Sequence, residues 1–302
     1  MKPIVIIPTY NYAPFILRAI ESVKGAEIIV IDDGSTDNTT ELLQPLIDDD
    51  TITYHYQPNA GKAAATRKGI EMASGETIFT LDADDWFLPG KIANTLEIFK
   101  QHPEVVHVAS PAQIVWENQT RSPEREPVPH WLLGKPLDGL EVLEKFYNRN
   151  RLYGGGSTFA ARASVLKKMP LPDAVDMYTD EWLVLYALMQ GKTFFLEDAH
   201  SAWYVHENNY SGKGGEALEK KIERLKRSSN AILRLIRENG FPESLVKAYT
   251  LKDRTRKLFW AEQSKSKSLM DVIEYAQAVL RGKYSWESIQ QYHVVNRMIK
   301  FW

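Results

Sequence analysis

The sequence predicts an α/β fold, a mostly parallel sheet with helices on both faces. Two observations carry this. Over the first hundred residues, short apolar runs rich in β-branched side chains alternate with stretches of helical spacing, as in repeated strand–helix units. The unusual polar segments follow these runs: Pro8–Asn11, Asp32–Ser35, Asn59–Lys62 and Asp82–Asp85. In open parallel sheets, ligands bind where strands end at their carboxyl termini, so four segments distant in sequence are expected to converge on one edge.

Each element follows in order. Ile4–Ile7 reads as a strand that stops at Pro8. Ala13–Val23 has helical spacing, with Ile16, Leu17 and Ile20 on one face. Glu27–Ile31 is the second strand, and Thr36 or Asp37 is placed to cap a helix carrying Leu42, Leu43 and Leu46. Ile52–Tyr56 is the third strand, Ala63–Ala73 the third helix, and Thr77–Leu81 the fourth strand. Beyond it, 103–212 is less regular. Residues 122–136 look like a proline-rich loop, 139–149 and 180–190 like helices, and 158–161 and 193–197 like strands. The glycines around Gly155 and Gly156 form a flexible turn that also permits close backbone approach by a substrate.

The fourth strand ends in Asp82, Asp84 and Asp85. A carboxylate cluster cannot lie inside a dry strand ladder, so it is expected where the strand opens into a cleft. Asp82 and Asp84 are two apart and point to one side of an extended chain. Two hard oxygen donors with room for water and phosphate suit Mg²⁺ or Mn²⁺, which points to an enzyme handling a diphosphate.

The 302 residues contain no cysteine, which excludes a disulfide framework and a thiolate metal site. No stretch reaches bilayer-spanning length, and the start lacks the basic and apolar signature of a signal peptide; a cytoplasmic protein is expected. Residues 1–212 carry 18 Lys and Arg against 29 Asp and Glu, whereas 213–302 carry 19 against 10. This sets a boundary near Gly212 between a catalytic unit, 1–212, and a basic helical region, 213–302. Leu218, Ile222, Leu225, Ile232 and Ile236 share one helical face in that region. Its cations could pack on the acidic part, mediate oligomerisation, or meet anionic lipid at the inner face of the cell membrane, helped by the apolar run Met298–Trp302. The acidic first part argues against nucleic acid as a partner.

The ordered set Pro8-Thr9-Tyr10-Asn11, Asp32-Asp33-Gly34-Ser35-Thr36-Asp37, Asn59-Ala60-Gly61-Lys62, Asp82-Ala83-Asp84-Asp85, Asp180-Glu181-Trp182 and His206 resembles family 2 glycosyltransferases over residues 1–212. The motifs are weak singly and specific together. The resemblance implies a GT-A fold and inverting transfer of a sugar from a nucleotide donor, UDP by family habit, to an acceptor hydroxyl of a cell-surface polysaccharide or lipid-linked glycan. It implies that Tyr10 packs on the base, that Thr9 and Asp33 contact base or ribose, and that Arg67 lies near the base. Asp82 would lie near the ribose, with Asp84 and His206 at the metal and diphosphate. Pro8, Asn11, Asp32, Gly61, Lys62, Ala83, Gly155, Gly156 and Trp182 complete the expected binding residues. One of Asp32 and Asp33 is expected to bind ligand and the other to be structural.

Inversion needs a base that takes the acceptor proton, and Asp180 or Glu181 is the candidate. The family commonly has Glu-Asp where this chain has Asp180-Glu181; aligning the aromatic Trp182 makes Glu181 the expected base. Lys68 stands where Asn is common. A sugar-phosphate nucleotidyltransferase and a non-catalytic nucleotide-sugar-binding module are the alternatives. The first lacks its basic, glycine-rich loop after the first strand, and the second has no need of the carboxylates at 180 and 181.

Overall fold

The computed structural model describes residues 1–117, 121–148, 151–207, 209, 218–264, 266–282 and 289–290. The expected boundary at Gly212 and the apolar run Met298–Trp302 lie outside them.

The first half follows the predicted alternation. β1 (Pro3–Thr9), α1 (Ile16–Ser22), β2 (Glu27–Asp32), α2 (Thr39–Asp48), β3 (Thr53–Tyr56), α3 (Lys62–Met72) and β4 (Thr77–Thr80) succeed one another. β1 pairs in parallel with β2 and β4, and β2 with β3. Strand order is therefore 3-2-1-4, with the direction of winding reversing between β1 and β4; such a reversal opens a crevice at the strand ends.

The alternation within β1 shows why both faces are covered. Ile4 and Ile6 enter a core with Ala63, Ala65 and Ile70 of α3. Val5 and Ile7 enter the opposite core with Ile16, Ala19 and Ile20 of α1 and Leu43 of α2. A strand buried on both faces reads as continuously apolar, which is why β1 was legible.

The chain continues through β5 (Trp86–Phe87), α4 (Lys91–Gln101), β6 (Val105–Ala109), β7 (Ala112–Trp116), β8 (Glu124–Arg125), β9 (Pro136–Asp138) and α5 (Gly139–Asn148). It then forms β10 (Ala160–Arg162), α6 (Ala163–Leu166), α7 (Thr179–Met189), β11 (Lys192–Phe195) and β12 (Ser201–Val205). This middle part holds more regular structure than its prolines and glycines suggest. The stretch 122–136, expected as a surface loop, contains β8, a 3₁₀ turn at His130–Leu132 and the buried Val128 and Leu132.

Two arrangements here shape the cleft. β10 runs antiparallel between β4 and β6, so its entry, Gly154–Thr158, meets the carboxyl end of β4. A smaller sheet, ordered β5-β12-β7-β8, was not foreseen. In it β12 lies antiparallel to β5, with Ser201 opposite Phe87 and Ala202 opposite Trp86. Continuing that register brings Tyr204 opposite Asp84 and delivers His206 to the same place.

The basic region is helical where described: α8 (Leu218–Glu238), α9 (Glu243–Gln263) and α10 (Leu269–Gly282). Ile222, Leu225, Ile232 and Ile236 are buried as their spacing predicted, while Leu218 is exposed. Ile232, Leu235, Ile236, Leu245 and Tyr249 belong to the same core as α3, α5 and α7.

Lys91 at the start of α4 is buried, with its ammonium donating to the Thr158 carbonyl at 2.6 Å and no ion pair among the described residues. Burial pushes its pKa down to about 7. A lysine depressed in the fold binds fewer protons folded than unfolded. Stability therefore rises with pH between about 7 and the ordinary value of 10.5, and the full penalty is felt below pH 7. Lys91→Met is expected to raise Tm near pH 6 by about 3 °C or more, equivalent to about 1 kcal/mol. The gain should shrink steadily toward pH 10; a pH series of thermal melts checks both signs.

Candidate active site

The carboxyl ends of β1, β2 and β4, the start of α3 and the segment 176–180 enclose a cleft of about 650 Å³. Pro8, Thr9, Tyr10, Asp33, Gly61, Lys62, Asp82, Ala83, Asp84 and Asp180 all line it. Four polar strand ends thus converge as the spacing implied.

On the β1 side, Tyr10 presents an exposed ring and Thr9 is almost wholly buried. The Thr9 hydroxyl has no hydrogen-bond partner among the described residues, the kind of group a ligand satisfies. The Asp33 carboxylate accepts from Gln57 Nε2 at 2.7 Å and from the backbone N–H groups of Ala60 and Gly61 at 3.0 and 2.7 Å. It shapes the loop that forms the cleft floor. Gly61 has φ of +94°, and a β-carbon there would stand 2.5 Å from Asp176 Oδ1; only glycine suits that position.

Asp32 does not reach the cleft. It is fully buried and accepts from Ser35 N at 2.7 Å and the Tyr54 hydroxyl at 2.8 Å. Asn11 is also redirected. With φ of +57°, its side-chain oxygen accepts from Thr36 N at 2.7 Å and Asp37 N at 3.2 Å, tying the β1 loop to the β2 loop.

The aspartates after β4 take three different positions. Asp82 Oδ1 holds the Lys62 ammonium at 2.7 Å. Burial raises the Asp82 pKa, Lys62 opposes this, and Asp180 and Asp84 add to it, leaving it at about 6. Asp84 Oδ2 accepts from Asn209 Nδ2 at 3.0 Å and lies 3.1 Å from His206 Nε2. Asp85 is braced by the Ser157 hydroxyl and by Tyr204 N at 2.9 Å, and burial followed by its two acidic neighbours pushes its pKa well up.

His206 is buried against Phe15, Tyr204 and Tyr12, and its Nδ1 has no partner among the described residues. The Asp84–His206 pair suits a divalent cation. Carboxylate and imidazole donors meet Mn²⁺ preferences, and Asp84 Oδ1 receives no hydrogen bond from the described residues. Those residues contain no cluster of three or more acidic, His or Cys ligands, so phosphate and water oxygens would complete the sphere, as is usual for Mg²⁺.

Asp180 and Glu181 separate at the start of α7. Asp180 lines the cleft, and its Oδ2 accepts from Lys62 Nζ at 2.9 Å. Lys62 therefore bridges Asp82 and Asp180. Its pKa is lowered by burial but raised further by Asp180 and Asp82, for a net rise. Glu181, expected as the base, points the other way. Its Oε1 accepts from Lys252 Nζ at 2.8 Å and the Tyr147 hydroxyl at 3.2 Å, and its Oε2 from Arg256 at 2.9 Å. Burial raises its pKa, but Arg256 and Lys252 outweigh that and hold it near 2. The cause is geometric: successive helical residues are turned by about 100°, and α7 is packed on nearly every side. Placing Asp180 in the cleft therefore buries Glu181.

Two further expected residues lie elsewhere. Trp182 is fully buried and donates to the Pro170 carbonyl at 2.7 Å. Arg67 points to the Leu171 carbonyl at 2.8 Å and to Asp173, outside the cleft lining. Gly155 and Gly156 lie next to the cleft. With Glu126, Tyr153, Ser201 and Trp203 they line an adjoining chamber of about 350 Å³, which meets the main cleft at Asp82, Asp85, Asp180 and Trp203. A β-carbon on Gly156 would lie 3.4 Å from Asp82 Oδ2.

Tyr12, Asp176, Trp203, Asn209, Arg224 and Arg227 line the cleft without having been singled out. Tyr12 and Asn209 neighbour motif residues, which was the available signal. Asp176 and Arg224 form a long-range ion pair at 2.6 Å that no local pattern reveals.

The Glycosyl transferase family 2 model matches residues 4–171, more than half of the chain. The chain belongs to glycosyl transferase family 2. Among similar curated proteins, an uncharacterized glycosyltransferase of Nostoc sp. is 39% identical over 122 residues, 38% of each chain. The glycosyltransferase GlyA of Streptococcus pneumoniae is 36% identical over 91 residues, covering 28% of this chain and 13% of that one. The chain spans less than half the length of the curated relatives it matches.

Among solved structures, S. aureus TarS 1–349 with UDP-GlcNAc has a TM-score of 0.64 at 17% identity, over 92% of this chain and 80% of that one. The mannosyltransferase PcManGT of Pyrobaculum calidifontis, in complex with GDP-Man and Mn²⁺, has a TM-score of 0.55 at 18% identity, over 100% and 87%. The family 2 chain has the GT-A fold with a helical C-terminal segment.

Proposed function

We propose that this family 2 glycosyltransferase transfers a sugar with inversion from a nucleoside diphosphate donor, UDP-linked, to a hydroxyl of a cell-surface polysaccharide or lipid-linked glycan. Asp180 is the base. The observation that carries the reading is the position of its carboxylate, at the seam between the main cleft and the adjoining chamber and beside the Asp82–Asp85 strand end.

The nucleoside half of the donor is assigned to the β1 and β2 ends. Tyr10 offers a ring face to the base, worth about 1–3 kcal/mol in comparable stacking, and the Thr9 hydroxyl takes a polar partner there. The diphosphate is assigned to the β4 end, between Lys62, Asp84 and His206. Asp84 and His206 would hold a divalent cation, which when bound would supply charge stabilisation to the departing diphosphate. Lys62 provides a second, covalently attached positive charge at the same end and keeps Asp180 oriented. The sugar and the acceptor hydroxyl approach one another beside Gly155 and Gly156, whose bare α-carbons admit a ring close to Asp82 and Asp180. Asp180 then accepts the acceptor proton on the face opposite the leaving group.

UDP-GlcNAc in TarS supports a UDP donor, and the Mn²⁺ complex of PcManGT supports the cation. Residues 1–212 are assigned the donor-binding and reacting groups, and 213–302 the helical region. The protein is assigned to the cytoplasm, with the helical region at the inner membrane face. The exposed Leu269, Met270 and Leu280 of α10 and the region's excess of basic over acidic residues support that placement. No described helix is long and apolar enough to cross a membrane.

The test is a panel of UDP-, GDP- and dTDP-sugars with Mn²⁺ and with EDTA, read as nucleoside diphosphate release and glycoside formation. Metal-dependent release from a UDP-sugar is expected. Products only from a nucleoside triphosphate and a sugar phosphate would refute transfer and identify a nucleotidyltransferase.

A further inference from the structure

We infer that the C-terminal helices α8 and α9 are part of the catalytic apparatus, because they hold the segment that aims Asp180. This rests on Asp180 being the base. The residues around Asp180 are gripped from behind, one after another. Asp176 Oδ2 accepts from Arg224 of α8 at 2.6 Å. Met177 N donates to Ser228 Oγ of α8 at 3.1 Å. The Arg256 guanidinium of α9 lies 4.3 Å from the centre of the Tyr178 ring and also donates to Glu181 Oε2 at 2.9 Å. Lys252 of α9 donates to Glu181 Oε1 at 2.8 Å.

Asp180 itself is turned the other way, toward Lys62 at 2.9 Å. Its carboxylate is thus set by two opposed holds: Lys62 in front, and Arg224, Ser228, Lys252 and Arg256 behind. The family match ends at residue 171, before the first of these contacts. The posterior hold comes wholly from sequence outside the shared domain.

The Glu181 cluster is an expensive way to fasten a helix. A buried carboxylate paired with a buried lysine and a half-buried arginine gains little stability over apolar side chains of similar volume. What ion pairs and hydrogen bonds supply instead is direction, which fixes the rotation of the first turn of α7. Lys252, Arg256, Ser228 and Arg224 are accordingly positioning residues, acting through Tyr178, Glu181, Met177 and Asp176.

Removing one member strands the others as buried charges, so the whole cluster is exchanged in Glu181→Met/Lys252→Met/Arg256→Met, on the full chain with a UDP-sugar that supports turnover. We expect a folded protein with a sharp thermal transition, a donor KM within about twofold of wild type, and kcat at least tenfold lower. Arg256→Lys, which keeps the charge, should retain most of kcat. Ser228→Ala, a small change that spares the charges, is read beside these and should lower kcat about threefold with KM unchanged.

A folded triple variant with wild-type kcat overturns the inference. If the triple variant does not fold, wild-type kcat in Ser228→Ala overturns it. Asp180→Asn separates the two levels. If that variant is inactive while the positioning variants are unaffected, the inference alone fails; if it is fully active, the assignment of the base fails first.

Discussion

Asp180→Asn is expected to lower sugar transfer by about 10²–10⁴-fold, the usual contribution of a positioned general base, while donor affinity changes little. The amide keeps the size of the side chain and accepts from Lys62 through its carbonyl oxygen, so the front of the site stays assembled. What it loses is the ability to take a proton. Isothermal titration with a non-hydrolysed donor analogue, set beside initial rates, separates the two effects. Glu181→Gln serves as contrast. It leaves Asp180 as the proton acceptor but weakens the ion pairs with Lys252 and Arg256 that hold the first turn of α7, so the melting temperature should fall and kcat should drop far less than in Asp180→Asn. Activity that survives in Asp180→Asn but vanishes in a well-folded Glu181→Gln would reverse the assignment.

Asp84→Asn is the second large effect. It removes the anionic ligand from the Asp84–His206 pair and leaves the neighbouring Asp82 held by Lys62. Transfer is expected to fall about 100-fold or more, on the scale of a few kcal/mol of lost charge stabilisation. The Mn²⁺ concentration for half-maximal rate should rise sharply, and His206→Asn should shift it in the same direction by less. A metal titration of each variant decides this: unchanged metal dependence in Asp84→Asn would remove Asp84 from the cation site.

The parallel half of the fold was legible because its strands are short and closed by polar loops, and β1 and β2 are apolar on both faces. The same property located the cleft, since position along a strand fixes which residues reach its end. What sequence could not supply was direction around a helix whose neighbours are unknown. Asp180 and Glu181 are adjacent, chemically alike and both in the first turn of α7. Only the packing of α5 and α9 against that turn separates cleft from core. Arg67 was misplaced for a related reason: a long cation on α3 has several acidic partners within reach, and Asp173, more than a hundred residues later, captures it. Asn11 and Asp32 show a third cause. Polar residues at strand ends must also satisfy the loops there, and these two are consumed by the 35–37 turn and by Tyr54. The smaller sheet was missed because β5 and β8 are two residues long and carry no periodicity.

The wiring of charges has a consequence for how the chain is made. Synthesis delivers the acidic groups of the cleft first and several of their partners last. Asp84 waits for His206, Asp176 for Arg224, and Glu181 for Lys252 and Arg256. A nascent chain emerging from the ribosome carries mutually repelling carboxylates until the basic helices appear behind them. The sheet is free to form early, but the segment bearing Asp180 acquires its setting only when the rear of the chain is available. Competence for catalysis therefore waits until α8 and α9 have been made.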